Sequence, residues 1–273
     1  MRRRDIETWQ TRMRARGLEA TTIERRIQCV RELGDRPFDL TAADIEDILD
    51  ARAGRYGQGL SPRTRRHWIS HLHAFYEWAI IEGLTDHDPT LRVGKPKVPE
   101  LLPRPIPTDE LQRAIDLADP QMRTWLLLGA LAGLRCMEIA DLTADRVLWA
   151  EGMLRVLGKG RKERLVPLHD QAATGLRSWH RQGPVFRRPS DGRAYTRERV
   201  SQLINAHLHD TVGSASTAHS LRHWFGTQVY QATQDLRLTQ YLLGHSSPVT
   251  TAGYSQFRHD TAAAAVAGLS IAA

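Results

Sequence analysis

Cysteine is scarce: the 273 residues include two, Cys29 and Cys136. Both fall in segments that read as helices, and their separation offers neither a disulfide framework nor a zinc ribbon. The reduced interior of a cytosolic protein suits them. Long apolar runs are also missing. The longest, "WLLLGALAGL" from Trp125 to Leu134, is about half of the ~20 residues a membrane span needs. The opening "MRRRDIETWQ" turns acidic and amphipathic after its arginines and lacks the apolar stretch of a signal peptide. Secretion and membrane insertion are therefore not expected, and the expected location is the cytoplasm. No internal repeat or low-complexity tract stands out, apart from an alanine-rich tail.

What the chain has is positive charge. Lys and Arg number 38 against 31 Asp and Glu, a net charge of +7. A polyanion is a natural partner for such a surface, because each neutralised phosphate releases counterions and supports salt-sensitive binding. The alternative is that the excess charge serves solubility alone.

The apolar pattern divides the chain in two. Residues 1–90 read as helices only, over Asp5 to Arg16, Thr21 to Leu33, the segment "TAADIEDILD" opened by Thr41 and Asp44 in a capping-box relation, and a longer helix capped by Ser61 with Pro62 at its first position. Trp68, Leu72, Tyr76, Ala79 and Ile80 mark that last helix's apolar face. Six prolines between Asp88 and Pro107 exclude continuous helix, so 91–107 reads as an extended linker. A second domain, 108–273, starts from Thr108 as N-cap with helices to about Ala140. Then "RVLWAEGMLRVLGKGRKERLVPL" alternates short apolar runs with glycine turns, the pattern of a three-stranded antiparallel sheet. Helices resume over His169 to Arg181, Arg197 to Val212, Thr217 to Gln231 and Leu236 to Leu243. The expected fold class is mainly α with a small antiparallel β-sheet.

Four pieces of the second domain carry residues that chemistry could use. They are Arg135 in "AGLRCMEIADL", Lys159 at a turn in "GKGRKERLVPL", "HSLRH", and "LLGHSSPVTTAGYSQF" with His245 and Tyr254. In "HSLRH" the three-residue spacing puts His219 and Arg222 on one helix face. His219 and His223 stand at i and i+4, but the zincin motif needs Glu directly after the first histidine, and Ser220 stands there. The pairs His71/His73 and His207/His209 lack further ligands. "LGKGRKE" is not a phosphate-binding P-loop either: Gly160 replaces the required Ser or Thr, and a strand follows. No metal site is expected.

Taken together, Arg135, Lys159, His219, Arg222, His245 and, nine residues later, Tyr254 resemble the full active-site set of the tyrosine recombinases, or phage integrases, in residue type, order and spacing. The resemblance covers roughly Pro105 to His259. The N-terminal unit is similar in being a small helical domain of the SAM-like kind with which that family embraces its DNA core site. The resemblance implies a site-specific DNA recombinase: Tyr254 is the nucleophile that forms a 3′-phosphotyrosyl link, and strand exchange proceeds through a Holliday junction with neither metal nor nucleotide as cofactor.

Side-chain chemistry agrees with those roles. A phosphodiester under attack gains negative charge on its non-bridging oxygens, and the guanidinium forks of Arg135 and Arg222 suit that load. A phenol with a pKa near ~10 needs a base or a strongly positive site. His219 serves as proton acceptor, Lys159 as acid for the departing 5′ oxygen, and His245 as a hydrogen-bond donor to the phosphate. Glu138, one turn after Arg135, reads either as a carboxylate orienting a site residue or as an ordinary surface glutamate.

In the first domain "SPRTRRHW" places Arg63, Arg65, Arg66 and His67 where they could contact double-stranded DNA, or simply form a solvated face. The tail from His259 to Ala273 follows the nucleophile directly. In the family such a tail often packs on a neighbouring protomer, which implies a homo-oligomer, a tetramer on two DNA sites. Unlike in larger integrases, a separate arm-site-binding domain before the helical unit is not expected. A simple recombinase is therefore expected, either a phage or mobile-element integrase, active in a bacterial or host cytoplasm with an optional DNA-bending accessory protein, or a chromosome- or plasmid-dimer resolvase of the Xer type. Two readings from other classes stay open: a DNA-binding accessory factor without catalysis, and a type IB topoisomerase-like enzyme that reseals without exchanging partners.

Overall fold

The structure, a computed structural model, describes residues 3–52, 59–98, 104–158, 162–179, 182–213, 216–244, 263–264 and 266–269. The chain separates into two compact units, Met1–Leu101 and Leu102–Ala273.

The first unit holds α1 (Arg3–Ala15), α2 (Ala20–Arg31), α3 (Ala42–Asp50) and α4 (Pro62–Ile81), with short 3₁₀ turns at Pro37–Asp39 and Pro89–Arg92. The expected caps are in place. The Thr41 backbone N–H donates to the Asp44 carboxylate at 2.7 Å and Asp44 N–H donates back to Thr41 Oγ1 at 3.3 Å, while Thr64 N–H donates to Ser61 Oγ at 3.2 Å. Each cap satisfies a backbone donor that the first helical turn leaves open. The core forms around Trp9, Ile45, Leu72, Phe75 and Tyr76, with Trp9 set edge-on to Phe75 at 5.2 Å. Ile80, expected inside, is 40% exposed. The buried stripe of α4 runs instead through Ile69, Leu72, Phe75, Tyr76 and Ala79, and Ile80 is rotated off it by about 100° from Ala79. Trp68 is half-buried, with the Arg52 guanidinium 4.1 Å above its ring.

The second unit comprises α5 (Thr108–Asp116), α6 (Pro120–Leu131), α7 (Cys136–Ala140), β1 (Val147–Leu148), β2 (Met153–Leu157), β3 (Glu163–Pro167), α8 (Asp170–Arg177), α9 (Arg197–Val212), α10 (Ala218–Thr233) and α11 (Leu236–Leu243). The three strands pair antiparallel in sequence order, with Leu154 opposite Val166 and Val156 opposite Arg164. From Trp125 to Leu131 helix α6 is apolar and buried on every side, because that part lies inside, packed by α8 and α10. The expected cap Thr108 is instead the first helical residue. Pro107 takes the N-cap position, and Thr108 Oγ1 accepts a hydrogen bond from the Trp224 indole at 3.0 Å.

In the tail, Val266 and Leu269 are buried in this unit's own core, and His169 Nε2–H donates to the Leu269 carbonyl at 3.1 Å. Among the described residues no helix is long and apolar enough to cross a membrane. Cys29 is buried, and its thiol is pushed up to about 12 chiefly by burial.

Candidate active site

Helix α6 ends where Gly133 turns the chain with φ +62°, a conformation that favours glycine. Nothing larger fits: a Cβ there would lie 2.5 Å from the Phe225 ring of α10. This tight crossing delivers Arg135 to the start of α7, where its backbone N–H donates to Glu138 at 2.8 Å and its guanidinium to the same carboxylate at 2.9 Å.

Glu138 is a hub. Its side chain is 1% exposed. From β3, Arg164 grips it with a two-pronged contact, Nη1 to Oε1 at 2.8 Å and Nη2 to Oε2 at 2.9 Å. Arg222 on α10 stands 3.9 Å away. Burial alone would raise the carboxyl's pKa, but the hydrogen bonds and charge of Arg164, with those of Arg135, outweigh it and hold the group below its usual range. Glu138 is thus no surface glutamate.

The three arginines meet a second acceptor, the C-terminal end of α11. Arg164 Nε donates to the carbonyl of Leu242 at 2.8 Å, Arg222 Nη2 to that of Leu243, and Arg135 Nη2 to that of Gly244 at 3.3 Å. A helix end leaves such carbonyls without intrahelical partners and carries partial negative charge, so cations belong there. Gly244 closes the helix with φ +60°, as its C-cap position requires. The next residue is His245.

Exposure separates the arginines. Arg135 keeps 29% of its side chain open, whereas Arg164 and Arg222 keep 5% and 3%. Arg222 also donates to the Gly133 carbonyl at 2.5 Å. Burial, then the charges of Arg135 and Arg164, pull its pKa down to about 9 against the opposing pull of Glu138, which leaves it protonated at pH 7. His219 lies one turn before Arg222 on α10, on an exposed face, with the His223 ring 4.4 Å away. Partial desolvation first, then His223, Arg222 and Arg135, lower its pKa. It is therefore neutral at pH 7 and able to accept a proton.

The structure thus brings Arg135, Glu138 and Arg222 together, with His219 on the Arg222 helix. Lys159, His245 and Tyr254 lie outside the described residues. Arg164 was missed by sequence reasoning. The signal for it is alternation: in β3 it shares the face of Val166 and sits opposite Val156, an apolar face where an arginine requires a buried partner. In the first unit Arg63, Arg66 and His67 are exposed, while Arg65 is half-buried and paired with Asp50. Among the described residues no group of three or more His, Cys, Asp or Glu is arranged to hold a metal.

Residues 105–260 match the model of the phage integrase family. The chain is 35% identical over 240 residues to tyrosine recombinase XerD of Pseudomonas putida, covering 82% of this chain and 80% of that protein. The integrase from mycobacterium phage Brujita superimposes with a TM-score of 0.57 at 31% identity, covering 97% of this chain and 92% of that one. A lambda integrase tetramer bound to a Holliday junction shares the fold, with a TM-score of 0.69 at 17% identity over 92% of this chain and 79% of that one. The chain belongs to the phage integrase family and is a tyrosine site-specific recombinase.

Proposed function

We propose that Tyr254 cleaves one DNA strand by attacking a phosphodiester held by Arg135 and Arg222. The phenolic oxygen bonds to phosphorus, its proton passes to His219, and the 5′ oxygen leaves with a proton from Lys159. A 5′-hydroxyl of a second DNA then attacks the 3′-phosphotyrosine and gives its proton to Lys159, while the tyrosine leaves with the proton that His219 had taken. The bond energy is kept in the phosphotyrosine, so neither metal nor nucleotide takes part. The observation that carries this reading is the convergence of Arg135 and Arg222 on the end of α11, from which the chain runs directly into His245. In this reading His245 donates to the same phosphate, and Glu138 orients the arginines. Each anion-stabilising donor accounts for about 10²–10³ in rate.

Double-stranded core-site DNA is the substrate, bound in part by Arg63, Arg66 and His67 of the first unit, with Arg65 held back by Asp50. Residues 1–90 act as the core-site-binding domain, 91–107 as linker and 108–273 as the catalytic domain. The active form is a homo-oligomer, a tetramer on two sites, in the cytoplasm. Exchange of tails between protomers would release Val266 and Leu269 from their own core.

Two uses of this chemistry are supported. The phage relative favours integration and excision of a mobile element; the XerD relative favours resolution of chromosome or plasmid dimers. A plasmid carrying two directly repeated sites, compared with two separate replicons, distinguishes resolution from integration.

The central test incubates wild type and Tyr254→Phe, without metal or nucleotide, with DNA flanking the protein's own gene. A denaturation-resistant adduct with wild type alone supports the reading. Equal salt-sensitive binding without any adduct favours an accessory DNA-binding role, and plasmid relaxation without recombinant product favours a topoisomerase.

A further inference from the structure

Glu138 could disable the site it belongs to. It stands one helical turn after Arg135, a spacing at which a carboxylate attracts a guanidinium. Arg135 already gives it a backbone N–H at 2.8 Å and Nη1 at 2.9 Å. A buried carboxylate that drew Arg135 in fully would cancel the charge a phosphate needs.

The carboxylate is instead taken from the other side. Arg164 reaches in from β3 and covers both oxygens, Nη1 on Oε1 at 2.8 Å and Nη2 on Oε2 at 2.9 Å, and its Nε donates to the Leu242 carbonyl. The acceptors set Arg164 apart from the equally buried Arg222. Both terminal nitrogens of Arg222 donate to carbonyls, those of Gly133 and Leu243, which bear no net charge, and its guanidinium stays 3.9 Å from Glu138. Burial raises the Glu138 pKa, and among the influences that lower it the hydrogen bond and charge of Arg164 precede those of Arg135. The three guanidiniums and one carboxylate leave a surplus of two positive charges. Without Arg164 the surplus is one, and Arg135 and Arg222 are then the cations nearest to a desolvated carboxylate.

We infer that Arg164 is a positioning residue whose charge occupies Glu138 and thereby keeps Arg135 free for the scissile phosphate. The inference rests on the assignment of Arg135 to that phosphate.

The test is a cycle of variants on the duplex that wild type cleaves, read as the rate of adduct formation at a temperature below the melting midpoint of every variant. Arg135→Ala is expected to slow wild type by about 10²–10³ and Arg164→Met to slow it by about 100-fold. Added to Arg164→Met, Arg135→Ala should cost less than about threefold more, because an Arg135 already captured has little left to lose. Arg164→Met combined with Glu138→Gln should be at least about tenfold faster than Arg164→Met alone, since a neutral glutamine captures no cation. Lost packing alone gives no such recovery. Independent losses, with Arg135→Ala slowing Arg164→Met as much as it slows wild type, overturn the inference. So does a combined Glu138→Gln variant no faster than Arg164→Met, or an Arg164→Met rate equal to that of wild type. Should Arg135→Ala leave wild type unaffected, the assignment of Arg135 to the phosphate falls and the inference with it. Where Arg164→Met does not fold, as judged by its thermal melt, Arg164→Gln carries the same cycle, because it keeps a donor for the carboxylate without the charge.

Discussion

Gly244 and Arg164 share one corner of the site: a Cβ on Gly244 would lie 2.9 Å from Arg164 Nη1. The glycine is needed twice, for its φ of +60° and for the space it leaves to the guanidinium. Gly244→Ala is expected to destabilise the catalytic unit by about 1–2 kcal/mol from the backbone alone, with a further loss as Arg164 is displaced. Denaturant unfolding measures the first. Slower adduct formation at unchanged DNA affinity reports the second.

Removing Glu138 leaves Arg164 buried without its carboxylate. Glu138→Ala should cost about 3–5 kcal/mol and lower the melting midpoint by about ten degrees. The pH dependence has a definite sign. The folded pKa of Glu138 lies below its ordinary 4.5, so its contribution to stability is complete above that value and is lost as pH falls through the folded pKa. Melting curves of Glu138→Gln should accordingly fall less steeply on acidification than those of wild type.

His219 has the opposite charge type and its own window. Its folded pKa lies below 6.5, so the folded chain resists protonation, and stability rises with pH between the folded value and 6.5. In its proposed role of proton acceptor it would work only while neutral. The rate of adduct formation should drop as pH falls through the lowered pKa, and His219→Gln should remove most of that acidic limb along with about 10²–10⁴ of the rate. A pH–rate profile of both proteins decides this.

In the N-terminal unit Arg65 should behave unlike its neighbours. Deleting a side chain that neutralises one phosphate makes the slope of log K against log salt shallower by about 0.9. Arg63→Ala and Arg66→Ala are each expected to show that change. Arg65→Ala should show less, because its guanidinium already faces Asp50. Binding titrations over a range of salt concentrations measure all three.

The elements legible in the sequence were those with local signals. The Thr41–Asp44 box, Ser61 followed by Pro62, and the Gly152 turn between β1 and β2 each act within a few residues, and the structure has them where those signals stand. Features that depend on distant partners were not legible. Ile80 continues an apolar run but points away from the core, and Thr108 gives up its capping role to an indole from α10. Arg164 is the clearest case. In "KERLVPL" it looks like one more surface cation of a basic chain, and only its register opposite Val156 and the arrival of Glu138 turn it inward.

The end of α11 already offers the site an imitation of its guest. Carbonyls of Leu242, Leu243 and Gly244 receive Arg164, Arg222 and Arg135, a row of oxygens bearing partial negative charge where like-charged guanidiniums would otherwise repel. The side chains are ordered during folding, before DNA arrives. In the role proposed for Arg135 and Arg222, engaging a phosphate would then be a substitution of one oxygen acceptor for another. The entropy of fixing two long side chains falls on folding rather than on binding.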